Sequence, residues 1–253
     1  MQIISKGLIT MLSILKRTLG AVCIILAFHS KANVADLDVL IVTEHLPPYQ
    51  ISKDNKLIGG LVAIEIQKLM KTVLPESTIE VMSWARAHQV ALVRPNTIIF
   101  SLVRTSERED KFIWIGKVAQ VRTELITLKD SELQPVETLS ELKNTQIGVK
   151  RQDAVATFLN NNGFEYGKEL VEIVSTMSTM RMLEKGRIET IPSNQQIIEF
   201  YCQNTGCANS DFKTLYVFKK LSEEFYLAAS LGTDAKLIEK LKAEFTNLDL
   251  PIQ

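Results

Sequence analysis

Short apolar segments of strand length alternate with amphipathic helical segments along the chain, and this alternation limits the possible folds more than any other feature. Buried strands are predicted in LDVLIVT (37–43), TIEVM (78–82) and TIIFS (97–101), and helices in LVAIEIQKLMKTV and SWARAHQVALV. After TELITL (123–128) the pattern starts again, with a helix in TLSELK and strands in QIGVK, LVEIV and IETIP. The alternation predicts an α/β fold with mostly parallel sheets, and the restart predicts two α/β lobes.

Two arginines stand where the strand over 95–100 should end, in the segment SLVRTSERED (101–110). Ligands of open α/β sheets lie at the carboxyl ends of the strands. A guanidinium fork together with hydroxyl groups suits a carboxylate. We therefore consider Ser101, Arg104 and Arg108 as parts of an anion site. The alternatives are a solvated turn and a salt bridge of Arg108 with a neighbouring acid.

The N-terminal segment has the composition of a secretory signal peptide. Basic residues precede an apolar run at 18–28 that is too short to span a bilayer, and Ser30 and Ala32 fit a signal-peptidase site. We expect residues 1–32 to be removed and the mature protein to be exported to the periplasm. The alternative is an N-terminal membrane anchor. Processing would leave 25 basic and 29 acidic residues, a net charge of −4.

Cys202 and Cys207 are the cysteines that remain when Cys23 is removed with the signal peptide. An even pair in an oxidising compartment indicates a disulfide that closes a small loop. Metal binding is the weaker interpretation, because no further histidine or cysteine is close in sequence. A redox dithiol more often has C-x-x-C spacing. We expect a local disulfide, no metal and no cofactor.

Composition and motifs argue against several classes of function. The formal net charge of the chain is zero, and without a basic stripe we expect no nucleic-acid partner. The motifs G-x-S-x-G and H-E-x-x-H and the P-loop are absent from the sequence. The sequence therefore gives little indication of catalysis.

Five segments, taken in their order and spacing, form a specific pattern. They are EHLPPYQISKDNKLIGGLVAIEIQKLM, SWARA, RTSERED followed by FIWIG, ELKNTQIGVKRQDA, and LEKGRIETI. Together they resemble the family 3 extracellular solute-binding proteins, periplasmic receptors best known for delivering polar amino acids to ATP-driven importers. The likeness covers nearly all of residues 37–247.

The resemblance implies a type II periplasmic-binding-protein fold, an α/β fold of two lobes joined by two crossover strands with a ligand cleft between them. Lobe 1 would comprise residues 33–121 together with 226–253. Lobe 2 would comprise residues 122–225, with the hinge strands at its ends.

The resemblance also implies a role for Arg108. In family members with the pattern T-x-x-R, the arginine holds the α-carboxylate of the ligand, and Thr105–Arg108 matches that pattern. The chain departs from the family at Val103, where many amino-acid binders have a hydroxyl, and at Gln152, where a glycine–threonine pair is common. It departs again near Asn194, where an aspartate usually holds the ligand's amino group. A neutral amide lacks the charge that an ammonium needs, so we expect a carboxylate-bearing or otherwise polar ligand rather than a standard α-amino acid.

Further candidates for binding the ligand in the cleft are Gln152 and Asn194, at the positions just described, and Tyr49, Trp84 and Glu44. Tyr49 and Trp84 follow predicted strand ends, where their rings could stack on a ligand. For Trp84 the alternative is packing in the core. Glu44 precedes a Pro-Pro turn, where its carboxylate could take a ligand amine or could accept hydrogen bonds from the backbone of that loop.

These features together predict a periplasmic solute-binding protein, a monomer that captures a small ligand between its lobes and closes on it. Its partner would be the permease of an ABC importer or a membrane-bound sensor. The alternative is a periplasmic dehydratase-like enzyme, because a few relatives on this fold use a carboxylate and basic groups in the same cleft. Glu44, Arg104 and Arg108 could serve such chemistry.

Overall fold

The computed structural model describes residues 37–219, 221 and 224–250, and the predicted signal peptide lies outside these ranges. The helices of this part of the chain are α1 (Ala63–Val73), α2 (Trp84–Val93), α3 (Ala154–Asn161), α4 (Thr176–Glu184), α5 (Gln195–Thr205) and α6 (Ala235–Phe245). The strands are β1 (Leu40–Thr43), β2 (Ile51–Lys53), β3 (Lys56–Gly59), β4 (Ile79–Val81), β5 (Thr97–Val103), β6 (Phe112–Gln120), β7 (Glu124–Leu128), β8 (Ile147–Lys150), β9 (Leu170–Ile173), β10 (Ile191–Ser193), β11 (Phe212–Val217) and β12 (Glu224–Ser230). Within these ranges, no helix has the length and apolar character needed to cross a bilayer.

A five-stranded sheet with the order β4-β1-β5-β12-β6 forms the centre of the first lobe. Strand β1 pairs in parallel with β4 and β5, whereas β12 lies antiparallel to both β5 and β6. The middle of β5 is an uninterrupted apolar run that is buried on both faces, as a central strand covered by helices requires. Helix α6 packs against α1 and β6, so the C-terminal segment belongs to this lobe.

The second lobe contains the sheet β10-β7-β11 and the parallel pair β8-β9. An isolated bridge between Ile147 and Thr190 connects β8 to the chain just before β10. A core of buried side chains from β7, β8, α3 and β11 fills the space between these elements. The chain passes between the two sheets after β6 and again before β12, and we propose that these two passages are the hinges, with the lobe boundaries predicted above.

Two expectations about secondary structure are wrong. The sheets are not mostly parallel, since five of the eight strand pairs are antiparallel. Two of these pairs arise because β12 returns from the second lobe and enters between β5 and β6 in the opposite direction to both. The others are β10-β7, β11-β7 and the hairpin β2-β3. The segment TLSELK forms only a short 3-10 turn, Leu139–Leu142. A hairpin of β2 and β3, which the sequence pattern did not indicate, turns at Asp54 and Asn55, both with positive φ.

The cysteine prediction is confirmed in the structure, where Cys202 and Cys207 form a disulfide bond. Helix α5 ends at Gly206, whose φ of 84° lies in the left-handed region that suits glycine at a helix C-terminus. The bond therefore closes the short loop that follows the helix. It is a local constraint within lobe 2.

Candidate functional site

A cavity of about 80 Å³ lies between the two lobes. The residues that line it from the first lobe include Glu44, Trp84, Ser101 and Arg108, and those from the second include Lys150, Asp153 and Asn194. Most of these residues stand just beyond the carboxyl ends of β1, β5, β8 and β10, which is where α/β sheets bind ligands. Of the seven residues predicted to bind the ligand, five line this cavity, namely Glu44, Trp84, Ser101, Arg108 and Asn194. Tyr49 and Gln152 do not line it.

Arg108 is buried in this cavity, with 6% of its surface exposed. A turn after β5 positions it, because the Arg108 amide donates to the carbonyl of Thr105. One guanidinium nitrogen donates to the carbonyl oxygen of Val103 at 3.0 Å, and another donates to that of Gln152 in the other lobe at 3.0 Å. Burial lowers the pKa of Arg108, and the carboxylates of Asp153 and Glu107 oppose this decrease. The guanidinium is a buried cation that connects both lobes through neutral acceptors.

Arg104 occupies a different environment, on the surface. Its guanidinium forms an ion pair with Glu109, with Nε donating to Oε2 at 2.7 Å, and both side chains are substantially exposed. It also lies over the rings of Trp114 and Tyr226, at 5.1 and 5.6 Å from their centroids. The two arginines of SLVRTSERED therefore differ, because Arg108 lines the 80 Å³ cavity, whereas Arg104 does not and belongs to a surface cluster.

Ser101 reaches the cavity because of a β-bulge. The pairing of β5 with β12 skips from Phe100 to Leu102, and Ser101 has a φ of 61°. Such a bulge turns a side chain out of the regular alternation. The Ser101 hydroxyl accepts a hydrogen bond from the side-chain amide of Gln50, whose Oε1 is buried without a partner among the described residues. Gln50 lies in the loop after β1 and is not among the residues predicted from the sequence.

Glu44 and Lys150 form a buried ion pair across the cleft. The side chain of Glu44 is 4% exposed and that of Lys150 is 10% exposed. Burial raises the pKa of Glu44, and the Lys150 ammonium opposes this rise. Burial by itself would lower the pKa of Lys150, but the carboxylates of Glu44 and Asp153 outweigh it and the pKa is raised. Lys150 is not among the residues predicted from the sequence, although its place at the end of the predicted strand QIGVK indicates a position near the ligand site.

Trp84 and Gln152 interact at the contact between the lobes. The indole Nε1 donates to the backbone carbonyl of Gln152 at 3.1 Å, and this same carbonyl accepts from Arg108. Gln152 has a φ of 58°, which turns its carbonyl toward the first lobe. Its side-chain Oε1 lies 3.3 Å from Nδ1 of His88. The backbone carbonyl of Gln152 therefore holds the side chains of Trp84 and Arg108. Trp84 both lines the cavity and packs in the core.

Tyr49 and Asn194 support the cavity in different ways. The ring of Tyr49 is buried and meets Phe225, a cavity residue, edge-on at 5.2 Å. Burial raises the pKa of its hydroxyl, which lies 3.5 Å from Gln196 Oε1 of the other lobe. Asn194 lines the cavity, but its side-chain oxygen accepts a hydrogen bond from the amide of Ile197 and so caps α5. No group of three or more metal-binding side chains occurs in the described residues.

These lobes, sheets and cleft define a type II periplasmic-binding-protein fold, and comparison with solved structures confirms it. Similar structures include a histidine kinase sensor domain with similarity to periplasmic binding proteins, with a TM-score of 0.68, 15% identity, and coverage of 83% of this chain and 90% of that one. They also include holo ArgBP from T. maritima, with a TM-score of 0.66, 14% identity, and coverage of 83% and 89%.

A further similar structure is the arginine-, lysine-, histidine-binding protein ArtJ from Geobacillus stearothermophilus. Its TM-score is 0.63 at 16% identity, and the match covers 83% of this chain and 91% of that one. No protein-family model matches the chain, and no curated protein is significantly similar to it in sequence. At identities this low the comparisons establish the fold, and the function has to be argued from the site.

Proposed function

We propose that the protein is a periplasmic solute-binding protein that captures a small polar ligand, bearing a carboxylate, in the cleft between its lobes. The lobes close on the ligand, and the liganded form is presented to a membrane partner. That partner is the permease of an ABC importer or a membrane-bound sensor. Both arrangements have support among the structures of similar fold, which include a substrate-binding protein of an amino acid ABC transporter and a histidine kinase sensor domain.

The environment of Arg108 is the observation that carries this proposal. The guanidinium lines the cavity, and the two side-chain hydrogen bonds described for it go to neutral backbone carbonyls. A buried cation is most stable opposite an anion that accepts two charge-assisted hydrogen bonds. A ligand carboxylate would supply that anion. Because Arg108 also contacts Gln152 of the second lobe, an anion bound here would contact groups of both lobes, as a ligand that drives closure must.

The proposal is tested by identifying a ligand and then removing the arginine. A thermal-shift screen of small carboxylates finds compounds that bind the folded state, because such compounds raise its melting temperature. Calorimetry then measures the affinity of the best compound for the parent and for Arg108→Ala. We expect a loss of about 2–5 kcal/mol, the usual result of removing one partner of a buried charge pair. Arg108→Lys should restore little of it, because an ammonium cannot form the planar fork.

Arg104→Ala is the matched control, because Arg104 lies four residues away and pairs with Glu109 on the surface. It should bind the ligand nearly as tightly as the parent. Equal affinities of Arg108→Ala and the parent would contradict the proposal, and so would a larger loss in Arg104→Ala. Nuclear magnetic resonance of the ligand after long incubation separates binding from the dehydratase-like alternative. A binding protein returns the compound unchanged, whereas an enzyme converts it.

A further inference from the structure

The cleft contains a complete set of groups for binding a cation, and a side chain of the protein itself occupies it. The ammonium of Lys150, from the end of β8, forms an ion pair with the carboxylate of Glu44, from the end of β1. It also lies 3.4 Å from Oδ2 of Asp153. Its third neighbour is the indole of Trp84, whose ring centroid is 5.3 Å from Nζ.

These three neighbours are the groups that bind ammonium and guanidinium ligands in proteins. Carboxylates give charge-assisted hydrogen bonds, and the face of a tryptophan attracts a cation through its quadrupole. All three residues line the cavity that also contains Arg108. The set therefore belongs to the ligand cleft and is not a salt bridge on the outside of the protein.

Occupation by Lys150 has a consequence for ligands that carry an ammonium group. Such a group would have to displace the buried Lys150 ammonium from Glu44, or lie beside it as a like charge and compete with it for Asp153. The first arrangement leaves the buried Lys150 charge without its partner, and the second brings two like charges together. A ligand without an ammonium meets neither obstacle.

We infer that Lys150 determines specificity by filling a cation subsite formed by Glu44, Asp153 and Trp84, so that the cleft selects carboxylates that lack an ammonium group. The selection of carboxylates rests on the function proposed above for Arg108. The filling of the subsite by Lys150 does not depend on that function and has its own test.

Lys150→Ala should create an accessible cation subsite, and ethylammonium chloride is the probe for it. We would record the melting temperature and the indole fluorescence of the mature protein at about pH 8, where an alkylammonium is still charged. Ethylammonium should bind Lys150→Ala saturably, with an affinity at least about tenfold above that for the parent. Sodium chloride of equal ionic strength is the control for screening. The double variant Lys150→Ala/Glu44→Gln is the control for the subsite and should lose the gain.

A second measurement uses the parent protein, so that it decides the question even if Lys150→Ala does not fold. Carboxylates are compared in matched pairs with and without an ammonium group: lactate with alanine, malate with aspartate, and valerate with 5-aminovalerate. The parent should bind the member without the ammonium more tightly, by about tenfold or more. In Lys150→Ala this preference should shrink or reverse.

The outcomes separate this inference from the proposed function. Equal binding of ethylammonium by the parent, Lys150→Ala and the double variant would overturn the inference, as would a parent that prefers the ammonium-bearing members. If carboxylates still bind through Arg108 in that case, the proposed function remains supported. Conversely, ethylammonium could bind Lys150→Ala more tightly than the parent while none of the carboxylates binds. That result would overturn the proposed function and support the occupation of the subsite by Lys150.

Discussion

His88 should make the stability of the protein depend on pH. It lies on α2 with 9% of its surface exposed, between the rings of Trp84 and Phe112. Burial, together with the charge of Arg108 and to a smaller extent that of Lys111, lowers its pKa to about 4, while the hydrogen bond to Gln152 and the carboxylate of Asp153 act in the opposite direction. Its Nε2 is buried without a partner among the described residues. The folded protein therefore contains a neutral imidazole at pH values where the unfolded chain has already bound a proton.

The sign and size of the effect follow from proton linkage. The pKa of His88 is about 6.5 in the unfolded chain and about 4 in the folded protein. At pH values between these two, the unfolded state binds more protons, so the free energy of unfolding falls as the pH falls. The stabilisation is fully present above about pH 6.5 and is lost as the pH approaches about 4. A pKa difference of this size corresponds to about 3 kcal/mol.

The assay is urea denaturation of the parent protein and of His88→Asn at several pH values between about 7.5 and 4. Asparagine places an amide where Nδ1 lies and does not titrate. The carboxylates are common to both proteins, so their titration cancels in the difference between the two free energies of unfolding. We expect this difference to fall by about 3 kcal/mol over the range. A difference that stays constant with pH would refute the reasoning, because it would mean that His88 has the same pKa in both states.

Three further predictions concern the backbone, the disulfide and the motion of the lobes. Gly60→Ala should lower the free energy of unfolding by about 2 kcal/mol or more, because Gly60 has a φ of 118° and a Cβ there would overlap the backbone carbonyl of Tyr49. Gly167→Ala, at an open turn with a φ of 79°, should cost less in the same urea titration. Replacing Cys202 and Cys207 by serine should cost about 2 kcal/mol, and two free thiols in protein purified from the periplasm would contradict the disulfide. A ligand that passes the calorimetric test should decrease the radius of gyration in small-angle scattering, and an unchanged radius would argue for a fixed cleft.

Local patterns in the sequence were sufficient for the elements and for the general position of the site. The apolar run of β5 and the helical spacing of α1 and α2 identified these elements, because burial on one face or on both produces a recognisable order of apolar and polar residues. Arg108 could be placed near a ligand because it follows a strand end, and strand ends carry ligands in this class of fold. The disulfide was also predictable, since its cysteines are only five residues apart.

Contacts between distant segments were decided by the tertiary structure alone. The direction of β12 depends on its return from the second lobe, and nothing within its own residues distinguishes a parallel from an antiparallel strand. The contact of Gln152 with the first lobe depends on its positive φ, which turns its carbonyl to Arg108 and Trp84. Glu44 and Lys150 are 106 residues apart in sequence, so neither predicts the other as its partner. Their pairing exists because the fold brings two strand ends together across a buried cleft, where a charge is more stable opposite another charge.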